Sequence, residues 1–230
     1  TGPKSELLIA NLTDDKTDVS NFPWLTHKEI NLCNEKCRVL KVSYAGEKGF
    51  EIHIANNSMS KVYNELIKFG ENYDLVHFGM LALDSMRLEK NYRSWKSDLT
   101  SDYSILQSGL DRWINFSKES FIGKEALTRE SEIGVTKKFV TLVVDDPEDN
   151  KAFGEPVYLS PVFAGDKYLG PVVSSGYGHR VKKSISMAIL DDRNLDGLND
   201  QLHIDVLGRK RKAHIVKEAL YDPENNRLRS

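Results

Sequence analysis

The sequence predicts an α+β fold, an antiparallel sheet with packed helices, followed by a small C-terminal β-barrel. Three observations predict it. Residues 38–54 read as two alternating strands around a glycine-containing turn, and residues 58–90 carry apolar side chains at helical spacing twice over. From Lys137 onward, short apolar strands alternate with Gly and Asp turns. The expected domains are 1–134, the α+β region, and 135–230, the barrel.

The chain opens Thr1-Gly2-Pro3 without Met and runs directly into an amphipathic helix. Proline suits a first helical position because the N–H it lacks has no partner there. Such an opening is expected of a polypeptide cut or truncated upstream. Next, Cys33 and Cys37 flank Asn34-Glu35-Lys36, read as a hairpin turn with the cysteines at facing strand positions. No further ligand stands at zinc-site spacing, and no disulfide framework is visible, so a reducing compartment is expected.

Residues 38–44 alternate, and Phe50-Glu51-Ile52-His53-Ile54 alternates strictly. The two glycines of Ala45-Gly46-Glu47-Lys48-Gly49 permit a tight connection between them. That hairpin buries Phe50, Ile52 and Ile54, leaves Glu51 and His53 on the opposite face, and puts Tyr44 on the facing strand. Glu47 and Lys48 are expected in solvent. Helical spacing follows over 58–73, with serines as candidate caps, and over 78–90, where Arg87 and Glu89 read as an ion pair internal to the helix.

Residues 91–120 are irregular and rich in aromatic and polar side chains, and 121–131 reads as a short helix. Strands are expected at 139–144, 155–159, 167–173, 185–190, 201–206 and 213–219, enough for a barrel of roughly 90 residues. The basic cluster Arg209-Lys210-Arg211-Lys212 falls where a strand pair would turn and is expected to be solvated.

Composition excludes several functions. A net charge of −2 with interspersed signs argues against nucleic acid, which needs a concentrated basic surface. No apolar run is long enough for a membrane span, and no signal peptide is evident. A soluble intracellular protein is expected, cytoplasmic in a bacterium or in the mitochondrial matrix of a eukaryote. The six histidines show no ligand spacing, so no metal is expected, and Gly176-Tyr177-Gly178 lacks the context of a nucleotide fingerprint.

The stretch Ser43-Tyr44-Ala45-Gly46-Glu47-Lys48-Gly49-Phe50-Glu51 resembles the Tyr-x-Gly-Glu-x-Gly-(Phe/Trp)-Glu hairpin of the glycine-cleavage T-protein family. Further matches follow in order. They are Phe78-Gly79-Met80 leading into Ala82-Leu83-Asp84-Ser85-Met86-Arg87, then Tyr92-Arg93-x-Trp95 before Asp98-Leu99-Thr100, and Gly109-Leu110. Phe121-Ile122-Gly123-Lys124 and Gly170-x-Val172 with Ser174-Ser175-Gly176 complete the series. Leu83-Asp84-Ser85, Tyr92-Arg93-x-Trp95 and the ending Tyr221-Asp222-Pro223 look more like the branch fused to dimethylglycine and sarcosine dehydrogenases. The T-proteins proper typically have arginine where Leu83 stands and another near Leu207-Gly208.

The resemblance implies folate-binding lobes that hold tetrahydrofolate, with the N-terminal part missing from this chain. It implies a catalytic aspartate in that missing section, so no catalytic residue is nominated. It implies Glu51 as the acceptor of a pterin ring N–H and exocyclic amine, a donor pair that one carboxylate can bind. Read alone, Glu51 is equally a polar residue on a half-buried strand. Tyr44 would wall the pterin or fill the core. Tyr92, Arg93 and Trp95 would receive the folate tail or pin a loop, and Trp113 stands near the channel aromatic of relatives. The implied partners are the folate, an amine-derived one-carbon unit, and a flavin dehydrogenase domain or subunit, with FAD on a separate part of the parent protein. The alternatives are a stand-alone aminomethyltransferase or methyltransferase, a folate-binding assembly factor whose Lys-Gly-Cys-Tyr signature is absent, and a non-catalytic folate-binding fragment.

Overall fold

A computed structural model describes residues 1–13, 19, 21–145, 154–191 and 195–229. Two compact units are present: Thr1–Lys90 with Tyr221–Ser230, and Asn91–Leu220. The α+β class and the C-terminal barrel are as the sequence predicts.

In the first unit, helix α1 (Ser5–Leu12) precedes strands β1 (His27–Leu32), β2 (Glu35–Leu40) and β3 (Glu51–Ile54), which pair antiparallel in the order β1-β2-β3. Helices α2 (Asn56–Gly70) and α3 (Met80–Glu89) follow. One sheet face packs Ile30, Leu32, Cys37, Val39 and the half-buried Ile52 and Ile54 against Leu8, Ile9, Leu12 and Val62. Each fully buried Leu, Ile or Val of this set stabilises by roughly 1.5–3 kcal/mol.

Several local expectations are corrected. The β1–β2 turn is Cys33-Asn34 itself, both residues at positive φ (54° and 63°), as a two-residue hairpin turn requires. Cys33 therefore sits in the turn while Cys37 pairs with Ile30 and is buried, so the cysteines do not face each other. The N-cap of α2 is Ala55 with no side-chain cap; Ser58 instead donates to Glu35 Oε2 at 2.6 Å, beside Lys61 Nζ at 2.7 Å from Oε1. Within α3, Arg87 does form an ion pair internal to the helix, with Asp84 at 2.7 Å, three residues before it.

The connection between β2 and β3 is longer than the tight turn expected, because pairing stops at Leu40↔Glu51. Lys41 turns the other way: its N–H donates to Thr26 O and its carbonyl accepts from Leu25 N. Tyr44 thus lies inside a ten-residue connection, 41–50, and not on a facing strand. That connection is anchored. The Glu6 carboxylate sits 3.3 Å from both Lys41 Nζ and Lys48 Nζ, and Lys48 O accepts from Gly2 N–H and Ser5 Oγ–H. Lys48, expected in solvent, is largely buried for this reason.

Tyr221–Ser230 folds onto the same unit. The buried Lys90 ammonium donates to Asp222 O at 2.6 Å and Asn225 Oδ1 at 2.8 Å, with Asp222 Oδ2 at 3.5 Å. Asp222 also accepts from the backbone N–H of Arg227 and Leu228, at the start of the short helix α6 (Asn226–Arg229). Burial pushes this carboxyl up, but those N–H groups and Lys90 outweigh it and hold Asp222 below the usual carboxylate range.

In the second unit, α4 (Lys124–Ile133) precedes six antiparallel strands. These are β4 (Lys137–Val144), β5 (Pro161–Ala164), β6 (Lys167–Gly178), β7 (Lys183–Asp191), β8 (Leu202–Val206) and β9 (Arg209–Val216). They close in the order β4-β7-β6-β5-β8-β9, with β9 returning to β4. A short helix, α5 (Leu195–Leu198), lies between β7 and β8. Leu142, Val144, Val162, Ala188, Leu190 and Ile204 fill the interior. The alternate residues Thr141, Val143, Ile185, Met187 and Ile189 are buried too. Residues 91–109 cover that outer face: Thr141 Oγ1 donates to Asn91 Oδ1, and Phe139 N–H to Gln107 O. Burial on both faces explains the near-continuous apolar run of 185–190, broken by the buried Ser186.

Two barrel expectations fail for identifiable reasons. Residues 155–159 form no strand, since Pro156 lacks a donor and Leu159 stands at φ 69°. The β8–β9 turn is Leu207-Gly208, so the basic cluster lies within β9. Arg211 is buried among backbone carbonyls, donating to Asp145 O and Gly154 O at 2.8–3.1 Å. Gly134 is the C-cap of α4, at φ 83°. No described helix is long and apolar enough to cross a membrane.

Gly170 tests the closure directly. Its φ is 154°, and a Cβ there would lie 2.0 Å from Ile189 O on the neighbouring strand. Gly170→Ala is expected to cost about 3 kcal/mol, since backbone cannot move aside cheaply. A urea-denaturation midpoint equal to the parent's would refute this account of the glycine.

Candidate functional site

Glu51 opens β3 on the sheet face opposite the core, beside His53 and across from Leu40. Alternation places Glu29, Arg38 and His53 on the same face. The two carboxylates there differ. Glu29 holds Lys36 at 2.6 Å and Arg38 at 3.3 Å, and those hydrogen bonds keep it below the usual carboxylate range. Glu51 has only His53, at 3.5 Å, and its side chain is 60% exposed. Among the described residues, Glu51 is thus the carboxylate on this face with no lysine or arginine partner, open to accept two donors from a ligand.

Tyr44, in the 41–50 connection, is 37% exposed. The other sequence-predicted residues belong to the second unit. Arg93 is turned inward: its guanidinium lies 4.3 Å from the Phe139 ring centroid and donates to Gly109 O at 3.3 Å. Burial, then the charge of Arg112, pulls Arg93 below the usual arginine range, while Asp98 and Asp111 push back. Gly109 is at φ 63°, and a Cβ on it would meet Arg93 Nη2 at 2.9 Å. Through that contact the Arg93 guanidinium joins the two ends of the 93–109 segment.

Trp95 is exposed and lines a cavity of about 510 Å³ with Leu99, Thr100, Tyr103, Ile105 and Leu110. Trp113, in a single 3-10 turn under Arg112, is exposed as well and does not line that cavity. Tyr92 is half-buried. The structure therefore brings Trp95 together with Tyr103, a residue that sequence reasoning missed. Burial, followed by Asp102 and Tyr158, raises the Tyr103 hydroxyl above its usual range, and Lys137 Nζ stands 5.6 Å from its ring. The only signal for it in the sequence was an aromatic in an irregular polar stretch.

Asp98 was also missed as an organiser. It is fully buried, accepts from Ser94 N–H at 2.7 Å and from the Ser174 hydroxyl, and so fixes the turn that carries Trp95. Two of the motif segments, Asp98-Leu99-Thr100 and Ser174-Ser175-Gly176, meet here. No group of three or more described His, Cys, Asp or Glu side chains is arranged to hold a metal ion.

Residues 1–118 match the family model described as GCVT N-terminal domain, and residues 137–222 match the glycine cleavage T-protein C-terminal barrel domain. An aminomethyltransferase of Alkaliphilus oremlandii is 32% identical, over 96% of this chain and 58% of its own length. The mitochondrial dimethylglycine dehydrogenase of Mus musculus is 28% identical over 99% of the chain and 26% of its own length. The mitochondrial sarcosine dehydrogenase of Mus musculus is 29% identical, over 99% and 25%. Glycine cleavage system aminomethyltransferase T from Bartonella henselae superposes with a TM-score of 0.78 at 17% identity, over 95% of this chain and 57% of that one, a likeness of fold. The chain thus spans little more than half of the aminomethyltransferases and about a quarter of the dehydrogenases.

Replacing Asp98 tests the organiser role. Asp98→Ala leaves Ser94 N–H and the Ser174 hydroxyl without their acceptor and is expected to cost about 2–3 kcal/mol. Chemical denaturation followed by tryptophan fluorescence reads it. A cost within about 0.5 kcal/mol, as for an ordinary surface change, would show that the turn holds itself.

Proposed function

The chain belongs to the glycine cleavage T-protein family, and from that premise we propose that it is the tetrahydrofolate-binding portion of a one-carbon enzyme of the dimethylglycine or sarcosine dehydrogenase type. The observation that carries this reading is Glu51, an exposed carboxylate with no lysine or arginine partner among the described residues, on the open face of the signature hairpin. Its two oxygens accept the ring N–H and the exocyclic amine of a pterin, a charge-assisted pair that fixes orientation as well as affinity. Tetrahydrofolate supplies N5 and N10, the nucleophiles that capture an amine-derived one-carbon unit as a methylene bridge. The chain contributes positioning and charge.

Tyr44 is the proposed wall of the pterin, from the connection that leads into β3. Taken by itself, the second unit offers the exposed rings of Trp95 and Trp113, with Tyr92 and Arg93 just before Trp95, as proposed contacts for a folate. The catalytic group and the amine-oxidising flavin belong, in this reading, to other parts of the parent protein or to a partner subunit.

Leu83-Asp84-Ser85 and the Tyr221-Asp222-Pro223 ending favour the dehydrogenase-linked branch. The 32% identity to an aminomethyltransferase supports a second reading, a stand-alone aminomethyltransferase of the T-protein type. One-carbon transfer to tetrahydrofolate by a preparation free of flavin protein would select it.

Calorimetric titration of the chain with tetrahydrofolate, beside Glu51→Gln, tests the site. Glutamine replaces one acceptor oxygen by a donor, so affinity is expected to fall by about 1.5–3 kcal/mol. Equal affinity of variant and parent would remove Glu51 from the site.

A further inference from the structure

The ending Tyr221-Asp222-Pro223 marks the chain in sequence but has no part in the chemistry above. Its contacts give it one. Tyr221 N–H donates to Glu89 O at 3.0 Å, at the end of α3, and the Tyr221 hydroxyl donates to Glu47 Oε1, in the 41–50 connection. Arg227 Nη1 donates to the same Tyr221 oxygen at 3.3 Å and stacks its guanidinium 5.7 Å from the ring centroid. Leu228 is buried, so the tail is held by apolar burial as well.

A second, independent contact reaches the same connection. The Lys90 stem lies against Gly46, where a Cβ would come within 2.2 Å of Lys90 Cγ, and Gly46 is at φ 77°. The ammonium at the end of that stem is the one caught by Asp222 and Asn225. The tail therefore grips 45–47 twice, through the Tyr221–Glu47 hydrogen bond and through the seating of Lys90 on Gly46. Residues 41–50 carry Tyr44 and deliver the chain into Glu51.

We propose that the C-terminal segment 221–229 is a latch that positions the 41–50 connection for ligand binding, with Tyr221, Lys90 and Glu47 as positioning residues. This rests on the reading of Glu51 and Tyr44 as pterin contacts. The latch makes no contact with ligand. It restricts a glycine-containing loop that would otherwise lose conformational freedom on binding, and pre-organisation of that kind appears as affinity.

The test uses the full chain and Tyr221→Phe, Glu47→Leu and Glu47→Gln. Tyr221→Phe removes the hydroxyl that joins Glu47 and Arg227, Glu47→Leu removes the carboxylate acceptor, and Glu47→Gln keeps an acceptor oxygen. Hydrogen exchange of the 41–50 amides is expected to quicken roughly tenfold in the first two, tetrahydrofolate Kd to rise by a similar factor, and Glu47→Gln to restore most of both. Exchange in β4–β9 should not change. Unchanged exchange in 41–50 overturns the latch, whatever happens to Kd. Faster exchange with unchanged Kd leaves only a structural fastening and overturns the positioning role. Failure of the parent chain itself to bind tetrahydrofolate is the separate failure of the site reading, visible before any variant is made.

Discussion

A buried ammonium sets the terms for the first unit. Lys90 is almost wholly removed from water, and a lysine so placed must find oxygen partners or surrender its charge. It finds them 132 and 135 residues further along the chain, in Asp222 and Asn225. The polypeptide therefore leaves this unit at residue 90, completes a closed barrel, and is obliged to return. Sequence order hides this dependence, because the ammonium and its oxygen partners stand 132 and 135 residues apart. Each is the condition for burying the other, and Tyr221 N–H on Glu89 O fixes where the return begins.

The same economy governs the glutamate hairpin. A ten-residue connection costs more conformational entropy than a tight turn. Here it is offset by contacts along its length: Lys41 and Lys48 on Glu6, Lys48 O under the first helix, Gly46 on Lys90, and Glu47 on Tyr221. Glu51 itself receives none of this support. Its carboxylate stays exposed with one imidazole beside it while Glu29, on the same face, is held by two cations. A fold that fastens the approach to a carboxylate and leaves the carboxylate open has the distribution expected of a binding group on a rigid support.

Periodicity made the helices and the alternation of β3 legible, because burial of one face dictates it. It failed where an element is buried on both faces or where turn chemistry decides. Nothing in Cys33-Asn34 announces a two-residue turn as Asn-Gly would, so the expected turn at 34–36 lies off the true one and sets the cysteines opposite each other. The basic run Arg209-Lys210-Arg211-Lys212 looked like a solvated turn because charge alone does not reveal that Arg211 has carbonyls waiting at 2.8–3.1 Å. The aromatics of 91–120 were recognised as candidates, but Arg93 and Trp95, two residues apart, have opposite environments. Only the packing of Phe139 and Gly109 separates them.

Much of the family pattern turns out to be structural. Gly170 is required by Ile189 O, Gly109 by its φ of 63°, Gly46 by the Lys90 stem, and Asp98 and Ser174 by each other. These motifs specify how the chain is closed and fastened, and they would be kept whether or not a ligand were bound. They therefore explain why family and fold can be read so firmly from collinear islands while chemistry cannot. Glu51 is different in kind, because no described contact in this fold needs a carboxylate there: leucine stands opposite, histidine beside, and solvent above. A charged side chain at a signature position that the fold does not consume is the residue on which the functional argument has to rest.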